Sequence, residues 1–269
     1  MATPAQPPSS PASASGRAPD APQPAGPDAA EGPRFSPLYR QIKALLISGL
    51  QSGAWKPGEA IPSETDLARR FKVSQGTVRK AIDELAAEYL LVRRQGKGTF
   101  VATHDETHSQ YRFLRLRPLE GEQEYPESRL LECKRGRAAG DVARMLELRL
   151  GESIMVLKRV LYFRGQPTAL DEVSLPGSIF KGLSAAMVNQ YGVSLYSLFE
   201  SEFGTRMVRA EERIRAVPAE AEAAGVLQVK EKTPLLCVDR VAFSYGERPV
   251  EFRRGLYRTD AHYYANTLA

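Results

Sequence analysis

Ser63 and Ser74 each stand at the head of a short run with helical periodicity, and the few residues between the runs leave room only for a tight turn. In the first run Ser63 is placed to cap the opening N–H groups, Asp66 three residues on gives a weaker form of the capping box, and Leu67, Ala68 and Phe71 supply a buried face. The spacing predicts that this helix stops near Phe71. Ser74 then caps a longer helix in which Val78, Ala81, Ile82, Leu85 and Tyr89 line one side, while Gln75, Arg79, Lys80 and Asp83 point elsewhere. Two short helices joined in this way form a helix-turn-helix. Another helix precedes the pair: Leu38, Ile42, Leu45, Leu46 and Leu50 recur at helical spacing behind Pro37, and Trp55-Lys56-Pro57-Gly58 breaks it after Ser52. Downstream, Leu91-Val92-Arg93-Arg94, the turn Gln95-Gly96-Lys97-Gly98 and the β-prone Thr99-Phe100-Val101 predict a hairpin in the position of a wing.

A helix-turn-helix presents the N-terminal part of its second helix to the major groove. Here that part is Ser74 to Arg79. Gln75 has the amide geometry for bidentate pairing with adenine, Arg79 suits guanine or phosphate, and Ser74 and Thr77 suit phosphate. The wing glycines allow a close backbone approach to the sugar-phosphate chain, with Lys97, Arg93 and Arg94 supplying charge around it. Capping by Ser63 and Ser74 is compatible with phosphate contact. The formal net charge of +5 is distributed to match: residues 34–103 hold twelve Lys/Arg against six Asp/Glu, a balance of +6, so the remainder sums to −1. A basic module beside a nearly neutral one is what phosphate-backbone binding by one domain requires.

Several function classes fall away. Residues 1–33 contain nine Pro and nine Ala with no large hydrophobic residue beyond Met1, which predicts a disordered tail. No apolar run approaches the roughly 20 residues that span a bilayer, and no secretory signal pattern is visible, so a soluble cytoplasmic protein is expected. Cys133 and Cys237 lack metal spacing and are read as reduced thiols. His104 and His108, with Asp105 and Glu106, have metal-ligand types at helical spacing, yet they fall in the expected linker 104–111 and are read as solvated. No metal and no cofactor are expected. A nucleophile elbow, a phosphate-cradling glycine loop and a supply of histidine are all missing, which argues against an enzyme.

The motifs Pro37-Leu38-Tyr39, Pro57-Gly58-Glu59, Ile61-Pro62-Ser63-Glu64, Leu67-Ala68, Val73-Ser74, Thr77-Val78-Arg79 and Gly96-Lys97-Gly98-Thr99-Phe100-Val101 resemble, in order, the DNA-binding domain of the GntR family. The resemblance implies a winged helix-turn-helix that binds a near-palindromic operator as a homodimer, with the positions matching Thr65, Ser74, Gln75, Thr77, Arg79 and Gly96 at the DNA. Together with the residue reading this gives a DNA-binding set of Ser63, Thr65, Ser74, Gln75, Thr77, Arg79, Lys80, Gln95, Gly96 and Lys97. Two positions depart from the pattern: Gln75 stands where several relatives have arginine, and Tyr89 replaces a glycine usual at the end of the recognition helix.

The remaining chain resembles the sensor (UTRA) domain of the HutC subfamily, which implies an α+β protein: after the winged helix-turn-helix, a chorismate-lyase-like antiparallel sheet flanked by helices, over 112–269. Asp141–Leu148 reads as a short helix, Ile154–Tyr162 as a half-buried strand, Thr168–Ser174 as its hairpin partner, and Ser194–Phe199 and Ala219–Leu227 as helices. Leu235–Tyr245 and Pro249–Tyr257 form the closing hairpin. By the same resemblance, a small-molecule effector meets Arg159, Asp171, Ser194, Tyr196, Glu251 and Tyr257. Arg159 and the N–H groups at the head of the Ser194 helix could hold an anion, while Asp171 and Glu251 receive ligand donors. The alternatives stand beside it: Arg159 and Asp171 as a plain cross-strand ion pair, Tyr196 and Tyr257 as core aromatics. Sugar-phosphate-sensing relatives have a second arginine where this chain has Leu161, and a hydroxyl-rich loop without clear counterpart in Tyr111–Leu119, so a small carboxylate or amine-bearing metabolite is favoured. Two other classes are weighed against a regulator: an enzyme using Asp171 and Glu251, since the implied fold is shared with a lyase, and a constitutive architectural protein indifferent to ligands. Repression is the expected mode, with activation left open.

Overall fold

The computed structural model describes residues 36–103, 115–123 and 125–266. The tail 1–33 and the linker 104–111 with its His104, Asp105, Glu106 and His108 lie outside the described residues.

Helix α1 (Leu38–Gln51) opens at Pro37, α2 (Glu64–Phe71) at Ser63 and α3 (Gln75–Ala87) at Ser74. Both serines cap as expected: Ser63 Oγ accepts from Asp66 N at 3.2 Å and Ser74 Oγ from Thr77 N at 3.1 Å. Helix α2 ends at Lys72, whose left-handed backbone lets the chain reverse directly into α3. The hairpin β1 (Leu91–Arg94) and β2 (Gly98–Val101) pairs Arg94 with Gly98, and Gly96 (φ 69°) turns it. On the far side of β2, Glu59–Ile61 bonds to Thr99 and Val101, which ties the wing to the segment entering α2. Ile42, Leu46, Leu50, Leu67, Val78, Ile82, Leu85, Leu91 and Val101 close one core.

Tyr89 departs from the expected core face. Helix α3 has ended, Tyr89 sits at φ 59° and its side chain is 63% exposed. The left-handed backbone here favours glycine, which gives a physical reason for the glycine usual in the resembling family. Leu38 and Leu45 of α1 are also exposed, so only Ile42, Leu46 and Leu50 of the helical stripe reach the core.

The second part is a six-stranded antiparallel sheet in the order β4-β5-β6-β9-β8-β7, formed by β4 (Glu127–Arg137), β5 (Ser153–Phe163), β6 (Gln166–Pro176), β7 (Arg209–Pro218), β8 (Pro234–Ser244) and β9 (Arg248–Tyr257). Strands β3 (Leu116–Pro118) and β10 (His262–Tyr264) make a separate pair. One row of directly opposed residues crosses all six strands as Glu132, Lys158, Glu172, Arg254, Asp239 and Arg213, alternating in sign at every step. Opposite charges directly across a ladder favour this register, and a slip by one residue would turn the row onto the apolar face.

Helices α5 (Ala185–Tyr191) and α6 (Leu195–Phe203) cover one face of the sheet over Leu157, Val173 and Leu175, with Phe180 and Phe199 in the same core. The opposite face packs Val160, Leu170 and Leu235 under α7 (Ala221–Leu227), and Ile154 under α4 (Gly140–Met145). Strand β5 is therefore largely buried on both faces, more than the half-buried strand expected. No helix among the described residues is long and apolar enough to cross a membrane.

Candidate functional site

The N-terminal part of α3 and the wing present one continuous exposed surface. Ser63, Thr65, Ser74, Gln75, Arg79, Lys80, Gln95, Gly96 and Lys97 are all exposed on it, and Thr77 is half-buried, its hydroxyl sharing a 2.8 Å hydrogen bond with Ser74 Oγ. Lys80 Nζ lies 4.1 Å above the Tyr39 ring, which orients it off the flank of α3. At the centre of the surface stands a carboxylate. Glu64, first residue of α2, accepts from Gln75 Nε2 at 3.2 Å, from Arg79 Nε at 3.0 Å and from Arg93 at 2.8 Å, and Arg93 also reaches Asp83 at 2.7 Å. Burial alone would raise the Glu64 carboxyl, but the hydrogen bonds from Arg79, Arg93 and Gln75 outweigh it and hold the group below its ordinary value.

The second constellation is buried in the face of the sheet beneath α6. Arg159 on β5 and Asp171 on β6 are direct cross-strand partners, 3.3 Å apart, so the ion pair weighed from sequence is present. Arg253 joins them: one side of its guanidinium lies 3.4 Å from Asp171, the other 3.1 Å from Glu251. The Tyr196 hydroxyl donates to Glu251 at 3.1 Å. Arg159 also donates to Val193 O at 3.1 Å, which brings it to the turn before Ser194, the half-buried residue that heads α6. Tyr257 completes the set. A Cβ at Gly255 would lie 2.5 Å from the Tyr257 hydroxyl, so glycine opposite Asp171 is what lets that ring fold across the strand.

Two arginines and two carboxylates thus sit together out of water, each carboxylate within reach of a guanidinium. Burial and the neighbouring Arg253 charge depress the Arg159 guanidinium, with Asp171 and Glu251 opposing. For Arg253 burial acts in the same direction, but Glu251, Tyr196 and Asp171 prevail and raise it. Burial, then the Glu251 charge, push the Tyr196 hydroxyl up to about 12, so it remains a donor at neutral pH. Asp171 Oδ1 is buried with no hydrogen-bond partner among the described residues, leaving an acceptor open to a donor. Arg240 pairs with Glu212 at 2.6 Å beside the cluster.

Helix α6 has a second buried ion pair near its other end. Glu200 lies 3.5 Å from Arg206, both nearly inaccessible, and accepts from Thr103 Oγ1 at the end of the wing segment. Arg206 donates to Tyr89 O at 2.9 Å and to Leu90 O at 3.3 Å. Tyr245 and Val208 pack against the helix-turn-helix core beside it, and a cavity of about 430 Å³ lined by Ile47, Tyr89, Leu90 and Tyr245 remains at the junction.

Sequence reasoning missed Arg253, Arg240, Glu200, Arg206 and the convergence on Glu64. Arg253 carried a signal, since it lies two residues from Glu251 and strand alternation puts both on one face. Glu200 and Arg206 carried none.

Comparison with known proteins bears on both parts of the chain. The family model "Bacterial regulatory proteins, gntR family" matches residues 38–101, and the UTRA domain model matches 122–263. The chain is 27% identical over 222 residues to the HTH-type transcriptional regulator YurK of Bacillus subtilis, covering 80% of this chain and 88% of that protein. It is 29% identical over 220 residues to the "Probable fructoselysine utilization operon transcriptional repressor" of Escherichia coli, covering 79% and 87%. Among solved structures, the ligand-binding domain of a protein assigned to the GntR family of transcriptional regulators, from Bordetella bronchiseptica, is 49% identical with a TM-score of 0.58, covering 59% of this chain and 99% of that one.

Proposed function

Since the chain belongs to the GntR family of bacterial regulatory proteins, with a DNA-binding domain followed by a UTRA domain, we propose that this transcription regulator is a repressor that binds a near-palindromic operator as a homodimer and is released by a small metabolite. Residues 34–103 carry the DNA contacts, through Ser63, Thr65, Ser74, Gln75, Thr77, Arg79, Lys80, Gln95, Gly96 and Lys97. Residues 104–111 link them to an effector-binding and dimerising part, 112–269, and the protein works in the cytoplasm with 1–33 as an appended tail. It is a regulator rather than an enzyme. One relative bears the name of a transcriptional repressor, which supports the mode of action.

The observation that carries this reading is helix α6. Its head meets the buried cluster through Val193 O and Tyr196, and its Glu200 meets Arg206 and Thr103 at the junction with the DNA-binding part. A ligand among Arg159, Asp171, Ser194, Tyr196, Glu251 and Tyr257 would have to displace groups that set the position of α6, and with it the anchor on Tyr89 and Leu90. The junction cavity leaves room for the two parts to reorient. Differential affinity for the two orientations is what allostery requires, and a coupling of roughly 1–3 kcal/mol lowers operator affinity about 5- to 150-fold.

The buried cluster also bears on the effector. Arg159 and Arg253 are balanced by Asp171 and Glu251, so no surplus positive charge awaits a phosphate dianion, while the open Asp171 oxygen favours a ligand that brings an amine or hydroxyl donor. Of the small carboxylate and the amine-bearing metabolite weighed from sequence, the amine-bearing one fits this balance better. Selection of bound sequences from random duplex DNA, followed by titration of the enriched site with organic acids, amines and sugar phosphates, tests the reading. A two-fold-symmetric site released by one such compound supports it, and enrichment of no sequence overturns it.

A further inference from the structure

We infer that Glu64 is a positioning and specificity-determining residue of the DNA-reading surface, one that holds Gln75 and Arg79 in a single arrangement and keeps the surface from gripping DNA of any sequence; this rests on the DNA-binding function proposed above. A carboxylate at the centre of a surface meant for a polyanion is electrostatically unfavourable for binding, so its presence requires a compensating effect. Fold stability supplies only a small one: Glu64 is mostly covered and stands in the first turn of α2, but Arg79 and Arg93 are about half exposed, and ion pairs of that kind add little.

The geometry points to preorganisation. Glu64 gathers three donors from two other elements: Gln75 and Arg79 from the head of α3, Arg93 from wing strand β1. The first two are the side chains best suited to base edges. Arg79 donates through both Nε, at 3.0 Å, and a terminal nitrogen, at 2.9 Å, which fixes the plane of its guanidinium. Free of Glu64, a long arginine would sample many rotamers and settle on the nearest phosphate whatever the sequence. Held by it, the same arginine presents one edge, and only a base pair that matches this edge is favoured. The charge balance agrees: Glu64 and Asp83 offset Arg79 and Arg93, so the centre of the surface is neutral while the exposed Lys80 and Lys97 stay at its flanks for the backbone. Wing and recognition helix are also joined through one carboxylate, which couples their approach to the duplex.

The test is Glu64→Gln in the full-length protein, measured against its selected operator and a random duplex over a range of salt. Glutamine keeps the size and one acceptor but cannot hold three donors or offset charge. The expected result is tighter binding to the random duplex, a slope of log affinity against log salt steeper by roughly 0.9 for each additional phosphate neutralised, and a specificity ratio lower by roughly five-fold or more, the loss of one well-made base pairing. The relaxed preference should map to the base pairs facing Gln75 and Arg79. A merely structural role would weaken both duplexes alike and leave the salt slope unchanged. Arg93→Gln serves as the second variant: it removes the wing tether but leaves Arg79 held, so discrimination at the Arg79 base pair should persist. An unchanged specificity ratio in Glu64→Gln, with a wild type that does prefer an operator, overturns the inference alone. A wild type that prefers no duplex overturns the DNA-binding reading and this inference with it.

Discussion

Replacing Arg206 with methionine removes the anchor between α6 and the DNA-binding part. Arg206 is 3% exposed, lies 3.5 Å from the equally buried Glu200, and donates to Tyr89 O and Leu90 O. Methionine keeps most of the volume but leaves the Glu200 carboxylate, beside Thr103, out of water and without its cationic partner. Breaking one side of a buried ion pair costs about 3–5 kcal/mol, because the other charge stays desolvated and uncompensated. With a urea slope of roughly 2–3 kcal/mol per molar, the unfolding midpoint should fall by roughly 1–2.5 M. Removing both charges has a different outcome. In Arg206→Met/Glu200→Leu no buried charge is stranded, and Leu90 O still accepts from Ala102 N, so most of the lost stability should return. The double variant should bind operator yet respond weakly to effector, because the 1–3 kcal/mol of coupling no longer has its anchor. Circular dichroism in urea and operator titration with effector measure the two effects. A double variant as unstable as the sum of its singles, or one with full effector response, would refute the reasoning.

Other outcomes follow from the same geometry. Tyr89→Gly should stabilise the protein by about 1 kcal/mol in urea unfolding, since glycine adopts φ 59° without the Cβ clash that tyrosine suffers. Arg79→Ala should abolish operator binding in a mobility-shift assay while the oligomeric state in solution is unchanged; retained tight binding would mean a different register on the DNA. Arg159→Met should leave operator affinity intact but block release by effector, because Arg253 still partners Asp171. Burial pushes the Asp239 carboxyl up, yet Arg254 at 2.6 and 3.0 Å, with Arg215 near, outweighs this and holds it below its ordinary value. A lowered folded value means that its stabilisation is complete above the unfolded value of about 3.9 and is lost as pH falls through the folded one. Arg254→Met should therefore lower the urea midpoint at pH 7 and narrow the difference between pH 7 and pH 3.

The helix-turn-helix and wing were legible because their signals are local. Ser63 and Ser74 mark helix starts by chemistry that acts within three residues, and the wing turn needs glycine for a backbone reason. Periodicity failed at Tyr89, where the apolar spacing continues after the hydrogen-bonded helix has stopped. Strands β5 and β6 were found within a few residues, since both are buried and apolar, whereas the edge strands β4 and β7 are about half exposed and rich in charge, and the alternating exposure of residues 127–132 in β4 has no matching polar/apolar alternation in its residues. Of the buried cluster, Arg159, Asp171, Tyr196 and Glu251 were reachable by resemblance, and the structure brings them into one network. Arg206 was not reachable, because its partners Tyr89 and Leu90 are 117 and 116 residues away along the chain and nothing local marks it. Glu64 was visible as a motif residue, but its meaning depends on Arg93, brought to it only when the wing folds back.

The most direct test of ligand-controlled DNA binding is the operator dissociation constant measured with and without a saturating effector, paired with effector affinity measured with and without operator. Linked sites predict that effector weakens operator binding about 5- to 150-fold and that operator weakens effector binding by the same factor. An effector that binds the buried cluster and leaves operator affinity unchanged would contradict the account.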